Sequence, residues 1–172
     1  MPLDDGACDR LLGWPIPNLT LPSSMGPVNL AELARERLVL YVYPRTDRPG
    51  EPLLPGWDDI PGARGCTPQS CAFRDHAAEL AALGANVVGV SAQSLDDQRE
   101  FAERNHMPFP IVSDERLELG RALGLPTFTV HGLMLYKRVT LVAERGEVEK
   151  VFYPVFPPDR NAEEVLAWMS SR

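Results

Sequence analysis

Two short runs of β-prone apolar residues most limit the folds open to this chain. Residues 38–43 (LVLYVY) and 86–91 (NVVGVS) carry no charge and are rich in β-branched side chains. Their length and composition predict strands that are buried on both faces, as in parallel or mixed sheets. Because a helical pattern separates the two runs, we expect helices to cover the sheet in an α/β fold.

Flanking segments predict the outer strands of this fold. Residues 19–30 predict a short hairpin followed by a helix that Asn29 caps. Towards the other end, two long strands at 133–143 and 147–152 are joined by a tight turn at Arg145-Gly146. An antiparallel pair beside parallel strands makes the predicted sheet mixed.

Capping residues mark the helices that alternate with the strands. Each predicted cap is a side chain that accepts a hydrogen bond from a free backbone N–H group: Ser94, Asp114 and Asn161. A short strand is predicted at 108–112. We therefore predict one domain over residues 1–172, a mixed sheet flanked by helices with an N-terminal hairpin extension.

The segment Gly65–Asp75 (GCTPQSCAFRD) carries two cysteines at the start of a predicted helix that Gly84 ends. Thr67 is the predicted cap, which places Pro68 at the first helical position, where its missing N–H costs nothing. Cys66 then meets the free N–H groups and the positive dipole end of the helix. Both favour a thiolate, which is a nucleophile.

The spacing between Cys66 and Cys71 points to a redox cycle. On an intact helix the two Cα atoms would lie about 8.5 Å apart, beyond the roughly 7 Å that a disulfide spans. If the two cysteines pair, the first turn of the helix must therefore unwind. Oxidation at Cys66 would then be followed by local unfolding and capture by Cys71.

Other interpretations of the two cysteines remain open at this point. Both could be inert core residues, because free cysteine is often buried. A metal site is less favoured, because C-x4-C is not the usual zinc spacing and no second Cys/His pair follows. His76 is alone on its turn. We expect neither a metal nor a cofactor.

The net charge and the number of cysteines limit which partners and which cellular compartment we expect for this protein. The net charge of −7 and the absence of a Lys/Arg block argue against binding to nucleic acid or an anionic membrane. Met1–Asp5 is acidic and lacks an apolar signal sequence, so we expect a cytoplasmic protein. Three cysteines suit reactive or buried thiols better than a disulfide framework, and Cys8, near a mobile end of the chain, is expected to be incidental.

The residues around the cysteines resemble thioredoxin-fold peroxiredoxins of the Q type, the bacterioferritin-comigratory group. The resemblance rests on Tyr43-Pro44, on the cysteine segment Gly65–Asp75 and on the run Lys137–Val142, in the order that the family has them. It covers roughly residues 12–169. It implies a peroxidase for hydrogen peroxide and organic hydroperoxides, re-reduced by thioredoxin or a similar dithiol protein.

The resemblance also assigns roles to individual residues. Cys66 falls on the peroxidatic position, Cys71 on the helix-borne resolving position, and Arg138 on the strand arginine that the family places against the thiolate. Pro44 begins the active-site loop, and with Gly65 and Thr67 we expect it to contact the substrate. An intramolecular resolving cysteine needs no second subunit, so we expect a monomer.

Two departures from the family pattern concern the loop before Cys66. About 15 residues are inserted between Pro44 and Cys66, a stretch rich in Pro and Gly that we expect Trp57 and Ile60 to pin. The family has a Thr or Ser three residues before the cysteine, and this chain has Ala63. Thr46 and Thr67 are the candidate replacements for that hydroxyl.

Two other function classes share this cysteine chemistry. A thiol–disulfide oxidoreductase normally needs C-x-x-C, and the chain has no such pair. A non-enzymatic redox sensor would use the same Cys66 chemistry, with the unwinding helix as its signal.

Overall fold

The two apolar runs form neighbouring strands at the centre of a five-stranded sheet in the computed structural model, which describes residues 1–172. In chain order the strands are β1 (Thr20–Leu21), β2 (Val28–Asn29), β3 (Arg37–Val42), β4 (Ala85–Ser91), β5 (Ile111–Ser113), β6 (Thr127–Val130), β7 (Leu133–Tyr136), β8 (Val139–Glu144) and β9 (Glu147–Phe152). The central sheet has the order β5-β4-β3-β8-β9. Its β3, β4 and β5 are parallel, whereas β8 and β9 run antiparallel to β3, so the predicted mixed sheet is confirmed.

Six α-helices accompany the strands: α1 (Leu30–Leu33), α2 (Cys66–Asp75), α3 (Ala77–Ala82), α4 (Leu95–Arg104), α5 (Glu118–Leu123) and α6 (Asn161–Ser170). The helix expected from the cysteine segment to Gly84 is interrupted at His76, whose φ of −102° ends α2. The N-terminal hairpin pairs β1 with β2, and Asn29 caps α1 as predicted. None of the helices is long and apolar enough to cross a membrane.

Alternation along β3 sends its side chains into two separate cores. Leu38, Leu40 and Val42 pack into the core on one face of the sheet. The intervening residues, Val39 and Tyr41, pack on the opposite face, in the same core as α2. Because successive side chains of a strand point to opposite faces, a run buried throughout needs cover on both sides.

Three predicted element boundaries are wrong. The strand expected at 133–143 is two strands, because β7 pairs with β6 in a separate hairpin and only β8 joins the central sheet. The strand expected at 108–112 is confined to Ile111–Ser113. The helix after Asp114 begins at Glu118 because Leu117 has a positive φ of 55°, and the Asp114 carboxylate accepts the N–H groups of Glu118 and Leu119.

The turn between β8 and β9 is confirmed. Arg145 and Gly146 have φ values of 52° and 84°, both in the left-handed region. Two positive φ values match the right-handed twist of the flanking strands, which is why such turns are favoured in two-residue hairpins.

The loop before α2 is anchored by Trp57. This side chain is only 4% exposed and packs in a small cluster with Ala63 and Leu135, against which Ile60 also packs. Arg48, near the start of the loop, pairs with Asp97 at 2.8 Å. The cluster fixes the loop against β7, and the loop in turn ends at Cys66.

We predict that Trp57→Ala destabilises the protein by about 3 kcal/mol, because it leaves a cavity where a buried aromatic side chain packed. Trp14 is 41% exposed and serves as the control, with a Trp14→Ala cost that we expect to stay under about 1 kcal/mol. Urea denaturation of the two variants measures the difference. Equal losses of stability would contradict the anchoring role of Trp57.

Candidate active site

The helix that carries both cysteines begins two residues earlier than predicted, at Cys66 instead of Pro68. Gly65 occupies the cap position with a φ of 103°, and Cys66 is the first helical residue. The prediction that Thr67 caps the helix is therefore wrong. The chain enters through a left-handed residue that must be glycine, since a Cβ at this position would lie 2.8 Å from Cγ of Pro158.

Cys66 is buried beside a cation. Its side chain is 3% exposed, and its Sγ lies 3.2 Å from Nη2 of Arg138. The thiol also contacts the carbonyl oxygen of Ala63 at 3.7 Å. A guanidinium group and a helix N-terminus at the same sulfur both stabilise negative charge on it.

Arg138 is held by neutral groups of the loop that leads to Cys66. Its Nη2 donates to the carbonyl oxygens of Gly62, Ala63 and Arg64 at 3.0–3.1 Å. Its Nη1 donates to Oε1 of Gln69 at 2.6 Å. The guanidinium is 4% exposed, and none of the groups that it contacts is a carboxylate. The Cys66 sulfur is the one contact able to carry a compensating negative charge.

The sheet explains why Arg138 reaches Cys66. Arg138 was expected within a strand, but it lies in the gap where the chain leaves β7 and enters β8. Because β8 runs antiparallel to β3, Val139 at the start of β8 pairs with Val42 at the end of β3. The active-site loop begins at that end of β3, so the two chain segments meet there.

A buried hydrogen-bond network supports the arginine. Nε2 of Gln69 donates to Oδ1 of Asn161 at 3.0 Å, and the Thr140 hydroxyl donates to the same oxygen at 2.7 Å. Asn161 was predicted to cap α6, which is wrong: it is the first residue of that helix and its side chain turns into the network. The network joins α2, β8 and α6 around Arg138.

Cys71 lies on the same continuous helix as Cys66 and is not brought into contact with it. It is half-buried, and its Sγ lies 3.8 Å from Oδ1 of Asn105. All three cysteines are free thiols in this structure. Because α2 is a continuous helix in this structure, a Cys66–Cys71 disulfide can form only after the helix unwinds, as the spacing predicts.

The two candidate hydroxyls differ in their availability. Thr46 is buried, and its hydroxyl donates to Oε1 of Gln93 at 3.3 Å, so it is engaged away from the cysteine. Thr67 is half-buried in the first turn of α2 next to Cys66. At position 63 the alanine contributes only its backbone carbonyl to the site.

A pocket of about 200 Å³ opens onto Arg138. Of the predicted site residues, Pro44 and Arg138 line it, whereas Gly65, Cys66, Thr67 and Cys71 do not. Sequence reasoning did not single out four further lining residues: Phe128, Tyr153, Pro154 and Val155. Nothing in the local sequence marks these residues, because the fold brings them together from two distant segments.

Cys8 is separated from this site by the sheet. It packs in the core on the face opposite that of Cys66, whereas the sequence suggested a position near a mobile end. Burial raises the pKa of the Cys8 thiol to about 12, and the Asp5 and Asp4 carboxylates add to the effect. No cluster of three or more His, Cys, Asp or Glu residues is placed to hold a metal ion.

Fold and site together define a class of protein: a thioredoxin-like α/β domain with a buried cysteine at a helix N-terminus, beside an arginine. Comparison with known proteins specifies the class further. The Redoxin family model matches residues 11–166. The chain belongs to this family and is a thioredoxin-fold peroxiredoxin of the Q type, an enzyme of the thiol-dependent peroxidase class.

Three relatives support this assignment. The chloroplastic peroxiredoxin Q of Sedum lineare is 30% identical over 156 residues, which cover 90% of this chain and 75% of that protein. A peroxidoxin structure from Mycobacterium tuberculosis is 28% identical with a TM-score of 0.75, covering 93% of this chain and 96% of that one. Peroxiredoxin Q of Xanthomonas campestris is 25% identical with a TM-score of 0.72, covering 100% and 96%. This chain spans 62–67% of the length of further plant relatives.

We predict that Cys8 resists alkylation in the native protein, because its raised pKa keeps it a thiol at neutral and mildly alkaline pH. Iodoacetamide at pH 8 should label Cys66 within minutes and leave Cys8 unlabelled until urea is added. Peptide mass spectrometry identifies the labelled residue. Rapid labelling of native Cys8 would contradict the raised pKa of its thiol.

Proposed function

We propose that the protein reduces hydrogen peroxide and organic hydroperoxides with the Cys66 thiolate as nucleophile and Arg138 as electrostatic partner. One observation carries the proposal: a buried guanidinium without a carboxylate partner lies 3.2 Å from the Cys66 sulfur at a helix start. A thiolate there offsets the buried positive charge, and burying such a charge without a partner is costly.

The first step transfers one oxygen atom to sulfur. The thiolate attacks the terminal oxygen of the hydroperoxide, the O–O bond breaks, and its electron pair leaves with the alkoxide or hydroxide. Cys66 becomes a sulfenic acid, and the leaving group takes a proton to depart as an alcohol or water. Arg138 and the first N–H groups of α2 point to the place where the negative charge develops, which lowers the barrier.

The second step forms a disulfide between Cys66 and Cys71. The Cys71 sulfur displaces water from the sulfenic acid once the first turns of α2 have unwound. Unwinding separates Gln69 from Arg138 and Asn161, and Ser70 from the Tyr41 hydroxyl that donates to it at 3.1 Å. Each such bond contributes about 1 kcal/mol net between neutral groups and about 1.5–3 kcal/mol to the guanidinium, so local unwinding is accessible.

A thioredoxin-like dithiol protein is the reductant that we propose for the disulfide, since an unwound α2 would expose the disulfide to a protein partner. The intramolecular arrangement of both cysteines suits a monomer. We further propose one domain over residues 1–172 in the cytoplasm, without nucleic-acid or membrane partners, in keeping with a charge of −7. Among the hydroxyls, Thr67 is our candidate to contact the peroxide, with Gly65 contributing backbone groups.

Cysteine variants test the two steps separately. We expect Cys66→Ser to abolish peroxide reduction, and Cys71→Ser to retain one rapid turnover while losing thioredoxin-dependent cycling. Cys8→Ser is the matched control and should behave as the wild type. After one equivalent of peroxide, mass spectrometry should find Cys66 linked to Cys71. A stable sulfenic acid in the wild type, or a link to Cys8, would contradict the resolving role of Cys71.

An arginine variant tests the electrostatic role. We expect Arg138→Met to slow the reaction of Cys66 with hydrogen peroxide by about 100-fold or more, because a preorganised charge-stabilising donor is lost. Arg64 is the control: its side chain is 75% exposed and pairs with Asp58 on the surface, so Arg64→Ala should change the rate less than about twofold. Stopped-flow kinetics gives both rates. A near-normal rate for Arg138→Met would remove that residue from the mechanism.

A further inference from the structure

The pocket beside Arg138 has one wall that comes from the far end of the chain. Pro2 and Leu3 line it together with Phe128 and Val155. Pro2 packs directly on the backbone of Gly62, where an added Cβ would lie 3.3 Å from the Pro2 Cβ. Gly62 is also one of the residues whose carbonyl oxygen holds Arg138. The N-terminal segment thus touches the loop that positions the reactive pair.

A charged clamp fixes this segment in place. Oδ1 of Asp5 accepts a hydrogen bond from the Tyr153 hydroxyl at 2.9 Å, and Oδ2 pairs with Nζ of Lys137 at 3.2 Å. Tyr153 and Lys137 both line the pocket themselves. The Tyr153 hydroxyl, the Ala7 N–H and Lys137 lower the pKa of Asp5, so its carboxylate is ionised at neutral pH. One carboxylate therefore joins the segment to two separate pocket walls.

The other end of the segment is anchored in the core. Cys8 is 4% exposed and Leu11 is fully buried, both in the core opposite Cys66. The side chain of Arg10 donates to the carbonyl oxygen of Gly124 at 3.1 Å. With the anchor on one side and Asp5 on the other, Pro2 and Leu3 extend over the pocket from a fixed base.

The size of the pocket indicates what this wall does. At about 200 Å³ the pocket is smaller than the roughly 300–1,000 Å³ of sites that take drug-sized ligands. Hydrogen peroxide needs only a small part of it. Pro2 and Leu3 stand at the rim of this pocket, where Leu3 is 82% exposed, so a hydroperoxide with a long acyl chain would meet them on its way to Arg138 whereas hydrogen peroxide would not.

We propose that residues 2–5 determine which hydroperoxides the enzyme accepts: Pro2 and Leu3 form a wall that restricts bulky substrates, and Asp5 is the positioning residue that holds it. This inference rests on the proposed peroxidase function of Cys66. It assigns the N-terminal segment a role in substrate selection, separate from the chemistry of the thiolate.

The test compares substrates of different size. Stopped-flow kinetics gives the second-order rate constants of Cys66 oxidation by hydrogen peroxide, tert-butyl hydroperoxide and linoleic acid hydroperoxide. For P2G/L3G and for Asp5→Ala, we expect the ratio of the linoleic acid hydroperoxide constant to the hydrogen peroxide constant to rise by about threefold or more, because the steric restriction is relieved. A purely structural role of the segment would lower both constants without raising their ratio.

Two further variants keep the result interpretable. Asp9→Ala removes the same charge from the same segment, where no side-chain hydrogen bond to the pocket exists, and its ratio should equal that of the wild type. Tyr153→Phe breaks the clamp from the pocket side and should raise the ratio as Asp5→Ala does, with no additional rise in the double variant. The Tyr153→Phe variant still tests the clamp if a substitution in the N-terminal segment impairs folding.

Other outcomes overturn the inference. The role of the wall is contradicted if the ratio falls, or rises less than about threefold, in P2G/L3G and Asp5→Ala. It is also contradicted if the ratio rises equally in Asp9→Ala. If the wild type reacts normally with hydrogen peroxide in that case, the peroxidase proposal stands. If the wild type oxidises with none of the three hydroperoxides, the proposed function fails and the inference fails with it.

Discussion

The contact between the Arg138 guanidinium and the Cys66 sulfur is the interaction on which this site depends. A buried cation is costly unless an anion compensates it, and every other partner of Arg138 is a neutral carbonyl or amide oxygen. The negative charge of the thiolate and the positive charge of the guanidinium therefore stabilise each other. The three carbonyl groups orient the guanidinium in advance, so that little reorganisation is required when negative charge develops on a substrate oxygen.

The sheet supplies the geometry of this contact. The end of β3 leads into the active-site loop, and the start of β8 lies beside it because the two strands are antiparallel. The loop then leads to α2, and Trp57 packs the inserted part of the loop against β7. Gln69 and Asn161 then connect the helix to the far end of the chain. The reactive pair is thus held by backbone and buried polar groups from four distant segments, although each contact is individually modest.

The sequence predicted those features that depend on local pattern. The buried strands, the Arg145-Gly146 turn and a helix that carries both cysteines follow from apolar runs, turn chemistry and helical spacing, although that helix begins two residues earlier than predicted. Thr67 and Asn161 were wrong as caps because a cap is a local preference, and long-range packing overrode it at both: glycine was required against Pro158, and the Asn161 amide was drawn into the buried network. The Asp5 clamp escaped prediction because its partners lie more than 130 residues away in sequence, and the pocket walls escaped it because they come from distant segments.

Oxidation itself weakens what holds α2 together. When Cys66 becomes a neutral sulfenic acid, Arg138 loses its compensating charge, and breaking a buried ion pair typically costs about 3–5 kcal/mol. Unwinding breaks the hydrogen bonds of Gln69 and the bond from Tyr41 to Ser70, which contribute about 1 kcal/mol each between neutral groups and about 1.5–3 kcal/mol where the partner is the guanidinium. The two sums are comparable. The first turns of α2 are therefore stable while Cys66 is a thiolate and only marginally stable once Cys66 is a sulfenic acid. The same arginine that stabilises the nucleophile thereby favours the unwinding that brings Cys71 within reach.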